Sequence, residues 1–483
     1  MARTTFIWNI ALTLTLASWV SADSTVAQSG KAAAGAAIEP KANRDQPARQ
    51  RFRDARSFYA YYGGGKVSEL SRYDIAVLHT PMMASADVRR LSELGVVTVG
   101  YISIGESSKL FDGDGSGPGG KASWYFDQDG NGEPDQNAIW KSWYANTNDP
   151  AWRANRVAEA KRLVEEYGFD GIFLDVLNVS EIYPESRVGM LQMIRDLREA
   201  LPEAVIVMNQ GFDLVAESAP LVDGFMMESF TATYDFETKK YRLHDPASLD
   251  FALRRATTIL NPAIEKVPLR VLVLDYATPA DRESLQFAAN RAASLGYLFS
   301  ATNIMLDDVY VDLPVGEADE KWLQRQMTPE KLAYKMTDAA NGFPAGTMVT
   351  PSSCFIGYGV KPIVDPSTDR SGYSWGDAAW ASAEDGEEPW LQIDIPEPRQ
   401  GGSLLINWHD AAGPSHNFQV QVRENDDASW QQVDSTVDTA AQTSTHTLPN
   451  TNFRQIRISQ SADGGSVDRP GLMWIARIEL LKP

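Results

Sequence analysis

Asp170-Gly171-Ile172-Phe173-Leu174-Asp175 and Asp223-Gly224-Phe225-Met226-Met227-Glu228 repeat one pattern: Asp-Gly, three apolar residues, an acid. Each apolar triplet is too short for a helix and reads as a strand buried on both faces. Side chains alternate along a strand, so Asp175 shares a face with Phe173 and Gly171, and Glu228 with Met226 and Gly224. The spacing between the two acids leaves room for strand, helix, strand, helix. Two equivalent strands of a parallel sheet therefore carry a carboxylate at equivalent tips, the arrangement that glycosidic bond cleavage requires.

Working outward, strand signals recur at Phe58–Tyr62, Ile75–His79, Val96–Ile104, Gly171–Asp175, Val205–Gln210, Gly224–Glu228, Val271–Tyr276 and Gly296–Thr302. Helix starts fall between them. Asp149-Pro150 opens an amphipathic stretch to Tyr167, Asp245-Pro246 one to Leu260, and Thr278-Pro279 one to Leu295. In each, a capping oxygen precedes a proline at the first helical position. Eight strands with helical crossovers over roughly 250 residues predict an α/β fold, a (β/α)8 barrel, across 53–325. A doubly wound open sheet competes poorly, because no Gly-rich phosphate loop follows the first strand.

After about Ala339 the pattern changes to short alternating strands: Trp390–Ile395, Leu404–Trp408, Phe418–Val422, Phe453–Ser459 and Trp474–Leu480. No long amphipathic helix interrupts them, which predicts a β-sandwich over 340–483, with Thr328–Gly342 as the connection. At the other end, Met1-Ala2-Arg3, an apolar run from Phe6 to Val20 and then Val20-Ser21-Ala22 read as a signal peptide over 1–22. Residues 23–52 are rich in Ala, Gly, Ser, Gln and Lys and read as a flexible tether.

The 483 residues are 43% hydrophobic and 22% charged, an ordinary globular balance sufficient for two cores. A formal charge of −20 argues against nucleic acid and anionic membrane surfaces and suits a cationic polymer. Cys354 is the only cysteine, so no intramolecular disulfide forms, and export without disulfides points to a bacterial periplasmic or secreted protein. One Cys and no histidine cluster argue against a transition-metal site, and catalysis is expected to need no cofactor. Ser107 and Ser229 lie in no Gly-x-Ser-x-Gly elbow, so a serine esterase is a poor competitor.

The connection from Glu106 to about Asn148 is far longer than an ordinary barrel loop. Within it Asp127, Asp129, Asn131 and Asp135 occupy positions 1, 3, 5 and 9 of a calcium-loop spacing, with Gly132 at position 6. Position 12 is Ala138, so the segment reads either as a calcium site or as a solvated Asp/Gly turn cluster. Asp112-Gly113-Asp114-Gly115 is a weaker version.

The strand tip Gly168–Asp175, the later Asp223–Ser229 and Tyr101-Ile102-Ser103-Ile104-Gly105-Glu106 together resemble glycoside hydrolase family 114, the endo-α-1,4-polygalactosaminidases. The resemblance implies a (β/α)8 barrel that cuts partially deacetylated α-1,4-linked galactosamine polymers, with Asp175 and Glu228 as the catalytic pair. Val176-Leu177-Asn178 stands where family members often carry a short acidic stretch, a departure that bears on substrate preference. Thr350-Pro351-Ser352-Ser353, Ile363-Val364-Asp365, Trp390–Ile395 and Phe453–Ile458 resemble a discoidin (factor 5/8 type C) module, which implies carbohydrate binding.

Alternate staves of a barrel stand roughly 9 Å apart before side chains converge, so both retaining and inverting spacings are within reach. The resemblance and Glu228's longer reach favour Asp175 as nucleophile and Glu228 as acid/base. Tyr62, His79, Tyr101, Glu106, Asn209, Asp275, Tyr276 and Asn303, all near predicted strand ends, are the candidate sugar-binding residues. A polysaccharide-binding protein that has lost catalysis, or a glycosidase for another amino-sugar polymer, are the alternatives.

Overall fold

The computed structural model describes residues 39–80, 82–113, 115–319, 328–355, 358–364, 379–384, 386–409, 413–438 and 442–482. The signal-peptide reading, the first part of the tether, Asp114 and Asp365 lie outside these residues. By internal contacts the chain divides into two units, Met1–Leu243 with Ile259–Asp319, and His244–Thr258 with Glu320–Pro483.

In the first unit, eight parallel strands pair in chain order: β1 (Phe58–Tyr61), β2 (Ile75–Leu78), β3 (Val97–Ser103), β4 (Gly171–Asp175), β5 (Val205–Asn209), β6 (Gly224–Glu228), β7 (Arg270–Tyr276) and β8 (Leu298–Thr302). β8 returns beside β1, so the sheet is a nearly closed (β/α)8 barrel with all eight expected strands present. Strands buried on both faces explain the unbroken apolar runs. The inward set includes Phe58, Ala60, Ile75, Val77, Val97, Val99, Phe173, Val205, Val207, Met226, Leu272 and Leu274, layered as a filled barrel requires.

Both template aspartates preceding the glycines work at the bottom of this barrel. Asp170 accepts from Arg51 Nη2 at 2.9 Å and from the Thr98 backbone N–H at 2.9 Å. Asp223 accepts from Arg49 Nε and Arg198 Nη2, each at 2.7 Å, and from the Ile206 N–H at 3.0 Å. Arg49 and Arg51 sit on a helix, Ala48–Asp54, within the stretch expected to be a flexible tether over 23–52. That expectation fails here because Phe52 is fully buried and plugs the barrel floor. A Cβ at Gly224 would stand 2.6 Å from Phe52 Cζ, which is why the template needs glycine there.

Two helix starts hold as read. Asp149 caps Pro150–Lys161 by accepting from the Ala151 N–H, and Asp245 caps Pro246–Arg255 by accepting from the Ala247 and Ser248 N–H groups. The latter helix groups with the second unit. The third start is displaced. Asp281, accepting from the Ser284 N–H, caps Arg282–Ser294, and Thr278-Pro279 lies in the preceding turn.

In the second unit, antiparallel sheets form a discoidin-like β-sandwich. One sheet centres on Trp390–Arg399, Phe453–Gln460 and Phe418–Arg423, the other on Trp474–Leu481, Ser403–Trp408 and Thr443–Thr447. Leu391, Ile393, Ile395, Leu404, Ile406, Val420, Val422, Ile456 and Ile458 alternate into the shared core. The sandwich begins before residue 340, because Tyr334–Lys335 already pairs with Met348–Val349.

Candidate active site

β4, β5 and β6 are neighbours, and their last residues are Asp175, Asn209 and Glu228. Parity turns all three into the barrel. The Asn209 Nδ2 donates to Asp175 Oδ1 at 2.9 Å and to Glu228 Oε2 at 2.7 Å. These two oxygens are therefore at most about 5.6 Å apart, closer than the roughly 6.5–9.5 Å of inverting pairs. Glu228 Oε1 accepts from Tyr276 Oη at 2.6 Å. Tyr101's hydroxyl acts on the charge of Asp175 but is enclosed without a hydrogen-bond partner of good geometry.

Neither acid is paired with Lys or Arg among the described residues. Burial raises the affinity of both for a proton, and the charge of Asp175 raises that of Glu228 further. Donation from Asn209 opposes the shift at both, joined by Tyr276 at Glu228. The extra push from the charge of Asp175 favours the proton on Glu228, and two carboxyl groups in one cavity whose proton affinities are set apart in this way can act as base and acid.

The backbone after each tip bends the same way. Val176, Gln210 and Ser229, each following a site residue, have φ of 62°, 58° and 57°. For a β-branched residue such as Val176 this left-handed conformation is strained, at a cost of about 1–2 kcal/mol. The kink peels the chain off the sheet directly after the functional side chain, as strained positions at active sites do.

Tyr62 and His79, at the ends of β1 and β2, pack with Tyr101: ring centroids are 5.4 Å apart for Tyr62–His79 and Tyr62–Tyr101, and 5.0 Å for His79–Tyr101. Burial holds His79 down to about 4, so the imidazole is neutral, and its Nδ1 lacks a partner. Burial pushes the Tyr62 hydroxyl well upward, and the charges of Asp175 and Glu228 add to it, which places it within their field. The structure thus gathers Tyr62, His79, Tyr101, Asn209 and Tyr276 around the acids.

The other three candidates lie elsewhere. Asp275 precedes Tyr276 on β7, and neighbours on a strand face opposite ways. It lies fully buried on the outer face and accepts from the Thr231 and Ala232 N–H groups at 2.7 and 3.0 Å, holding the turn after Glu228. Asn303 exchanges hydrogen bonds with Asp307 in a rim turn. Glu106 is buried, accepts from Asn137 Nδ2 at 2.9 Å and from Ser142 Oγ, and so anchors the long insertion. Glu106–Ser107 also pairs with Trp143–Tyr144, closing the insertion at its neck.

The sequence reading missed an aromatic arc over the barrel core. Trp140 of the insertion and Tyr234 and Tyr241 of the hairpin after β6 pack against the inward residues. Trp140 and Tyr234 meet Phe236 edge-on at 5.7 and 5.2 Å, and Phe236 is 44% exposed. No periodic signal marks such residues in a loop. In the insertion, carboxylate oxygens of Asp127, Asp129 and Asp135 converge within 4.8 Å of one another, whereas the Asn131 side-chain oxygen accepts from the Glu133 N–H.

Among solved structures, the glycoside hydrolase domain of PelA from Pseudomonas aeruginosa is similar at 24% identity and TM-score 0.44, covering 55% of this chain and 100% of that one. The Aspergillus fumigatus Ega3 complex with galactosamine matches at 11% identity and TM-score 0.40, over 54% and 95%. A chitosan-binding module from a Paenibacillus sp. chitosanase/glucanase matches at 17% identity and TM-score 0.22, over 30% and 97%. No curated protein sequence matches significantly. Residues 363–458 match the NedA-like, galactose-binding domain of the F5/F8 type C group, in agreement with the sandwich. Residues 38–313, more than half of the chain, match the sequence model of the GH114 family and bracket the barrel with its paired carboxylates; the chain belongs to glycoside-hydrolase family GH114.

Proposed function

We propose that the protein is a secreted or periplasmic bacterial endo-glycosidase that cleaves α-1,4-linked galactosamine and N-acetylgalactosamine polymers with retention of configuration. The observation that carries this reading is the acid pair bridged by the Asn209 nitrogen, whose nearest oxygens lie too close for the wider spacing of inverting enzymes. In the first step Asp175 attacks the anomeric carbon while Glu228 gives its proton to the departing glycosidic oxygen. In the second, Glu228 takes a proton from water, the water oxygen bonds to the anomeric carbon, and Asp175 leaves.

Tyr276 Oη and Asn209 Nδ2 donate to Glu228 Oε1 and Oε2 and favour its ionised form, so the proton that Glu228 gives up is held by burial and by the charge of Asp175. Acceptors and acids without a paired cation favour an ammonium-bearing sugar. The Trp140 and Phe236 arc offers ring faces to sugars beyond the scissile bond, as an endo mode of action needs.

Calcium is the second part of the proposal. Three converging carboxylates repel one another unless a cation joins them, and Asp127 Oδ1 is enclosed without a partner. Asp127, Asp129 and Asp135 would hold the ion and stiffen the insertion. Calcium should raise the melting temperature and the Asp129→Asn variant should lose that response; no response in the native protein removes the site.

Reducing-end release from galactosamine polymers, with Asp175→Asn and Glu228→Gln as controls, tests the enzyme reading. Native protein releasing no more than the variants across amino-sugar polymers refutes it. Proton NMR of the first-formed anomer tests retention, and an inverted product refutes that step.

A further inference from the structure

We propose that Asn209 is the positioning residue of the acid pair, its one nitrogen spanning Asp175 and Glu228 and its remaining oxygen receiving a donor from the sugar. The inference rests on the glycosidase reading and assigns each atom of the carboxamide. In the sheet, β5 lies between β4 and β6, so its tip is the one that reaches both acids at once. The amide has two hydrogens and spends one on each carboxyl group, at 2.9 and 2.7 Å. The opposite flip would set an oxygen against two carboxyl groups, which repel it whenever either is ionised.

That leaves Oδ1, which is enclosed and has no hydrogen-bond partner. A buried acceptor without a donor costs stability and returns nothing in the unliganded protein. An apolar side chain of the same size would pack there more cheaply, yet could neither tie the acids together nor greet a ligand. A sugar hydroxyl or ammonium in the cleft supplies the missing donor. Clamp and receptor are then one group, so a correctly seated sugar bears directly on the spacing of the acids.

The charged and titratable groups around the bridged acids come from several staves: Tyr62 just past β1, His79 just past β2, Tyr101 of β3, Asp175 of β4, Glu228 of β6 and Tyr276 of β7, with Glu106 within electrostatic range of Asp175. Of these only the acids change charge near neutral pH, since the phenols are driven up and the imidazole down by burial.

Asn209→Leu keeps the volume and removes both functions. Carbon-13 NMR of labelled carboxyl groups should show the pair titrating at higher pH in this variant, because the donor to both ionised forms is gone. kcat should fall about a hundredfold or more, with the rising limb of the pH–rate profile moved upward. An unmoved carboxyl titration in a folded variant overturns the clamp, whether or not any polymer is cleaved. A moved titration in a protein that cleaves no amino-sugar polymer leaves the clamp standing and removes the activity. For the receptor, calorimetric titration of a galactosamine oligomer into Glu228→Gln and into the same variant with Asn209→Leu should show at least tenfold weaker binding in the latter. Equal affinity overturns that half.

Discussion

The two ends of the barrel treat the same kind of residue in opposite ways. At the floor, Asp170 and Asp223 are each met by arginine and by a backbone N–H of the preceding strand. At the mouth, five residues along the same two strands, Asp175 and Glu228 share one amide, Glu228 also meets a hydroxyl, and among the described residues neither meets an arginine or lysine. The first pair is solvated by the protein and holds it together. The second is desolvated without compensation by a cation, and its affinity for protons rises. One repeated template thus carries a fastening at its start and, on the proposed function, a reagent at its end, and the cations met at one end and not at the other make the difference.

The largest test of this contrast is catalytic. Asp175→Asn and Glu228→Gln should each lower kcat on galactosamine polymer by about 10³-fold or more, roughly 4 kcal/mol of barrier. Asp223→Asn should leave kcat per folded molecule near the native value. Loss of activity from the floor variant without loss of fold would break the division of labour.

Stability should respond in the reverse order. Asp223→Ala leaves Arg49, Arg198 and the Ile206 N–H without their acceptor, and about 3 kcal/mol should be lost. Chemical denaturation measures it, and a change below 1 kcal/mol would show that the floor pairs merely decorate the surface.

Glu228→Gln is expected to stabilise, by an amount that depends on pH. The folded-state pKa of Glu228 lies above its unfolded value, so the native protein binds that proton more tightly than the unfolded chain does. Raising pH from the ordinary glutamate range through the elevated one therefore drains native stability. The variant, with nothing to ionise there, should melt higher than the native protein at mildly alkaline pH. The difference should shrink below about pH 4, where glutamate is protonated in both states. A variant less stable than native at alkaline pH would falsify the desolvation account.

The smallest effect concerns Tyr276→Phe, which removes the donor to Glu228 Oε1. The falling limb of the pH–rate profile should move to higher pH by less than about one unit, since one neutral hydrogen bond is worth about 1 kcal/mol. Movement to lower pH would mean that Tyr276 stabilises the protonated acid.

Much of this protein was legible in the chain. Apolar triplets flanked by Asp-Gly and an acid, repeated at barrel spacing, specify buried parallel strands and the parity of their tips. That is local periodicity, so all eight strands and the inward direction of Asp175 and Glu228 followed from it. Parity also forbids Asp275 and Tyr276 from sharing a face, and the structure sends Asp275 outward. What only tertiary structure decided is everything that depends on groups remote in the chain. Phe52 plugs a floor built from strands far along the sequence, and Arg51 and Arg49 reach Asp170 and Asp223. Asn209 bridges two acids because its strand closes between theirs, and the left-handed turn at Val176 exists because the tip must leave the sheet there. A pattern of residue types records which face a side chain takes. Whether a carboxylate on that face meets a guanidinium or an amide depends on how the barrel closes.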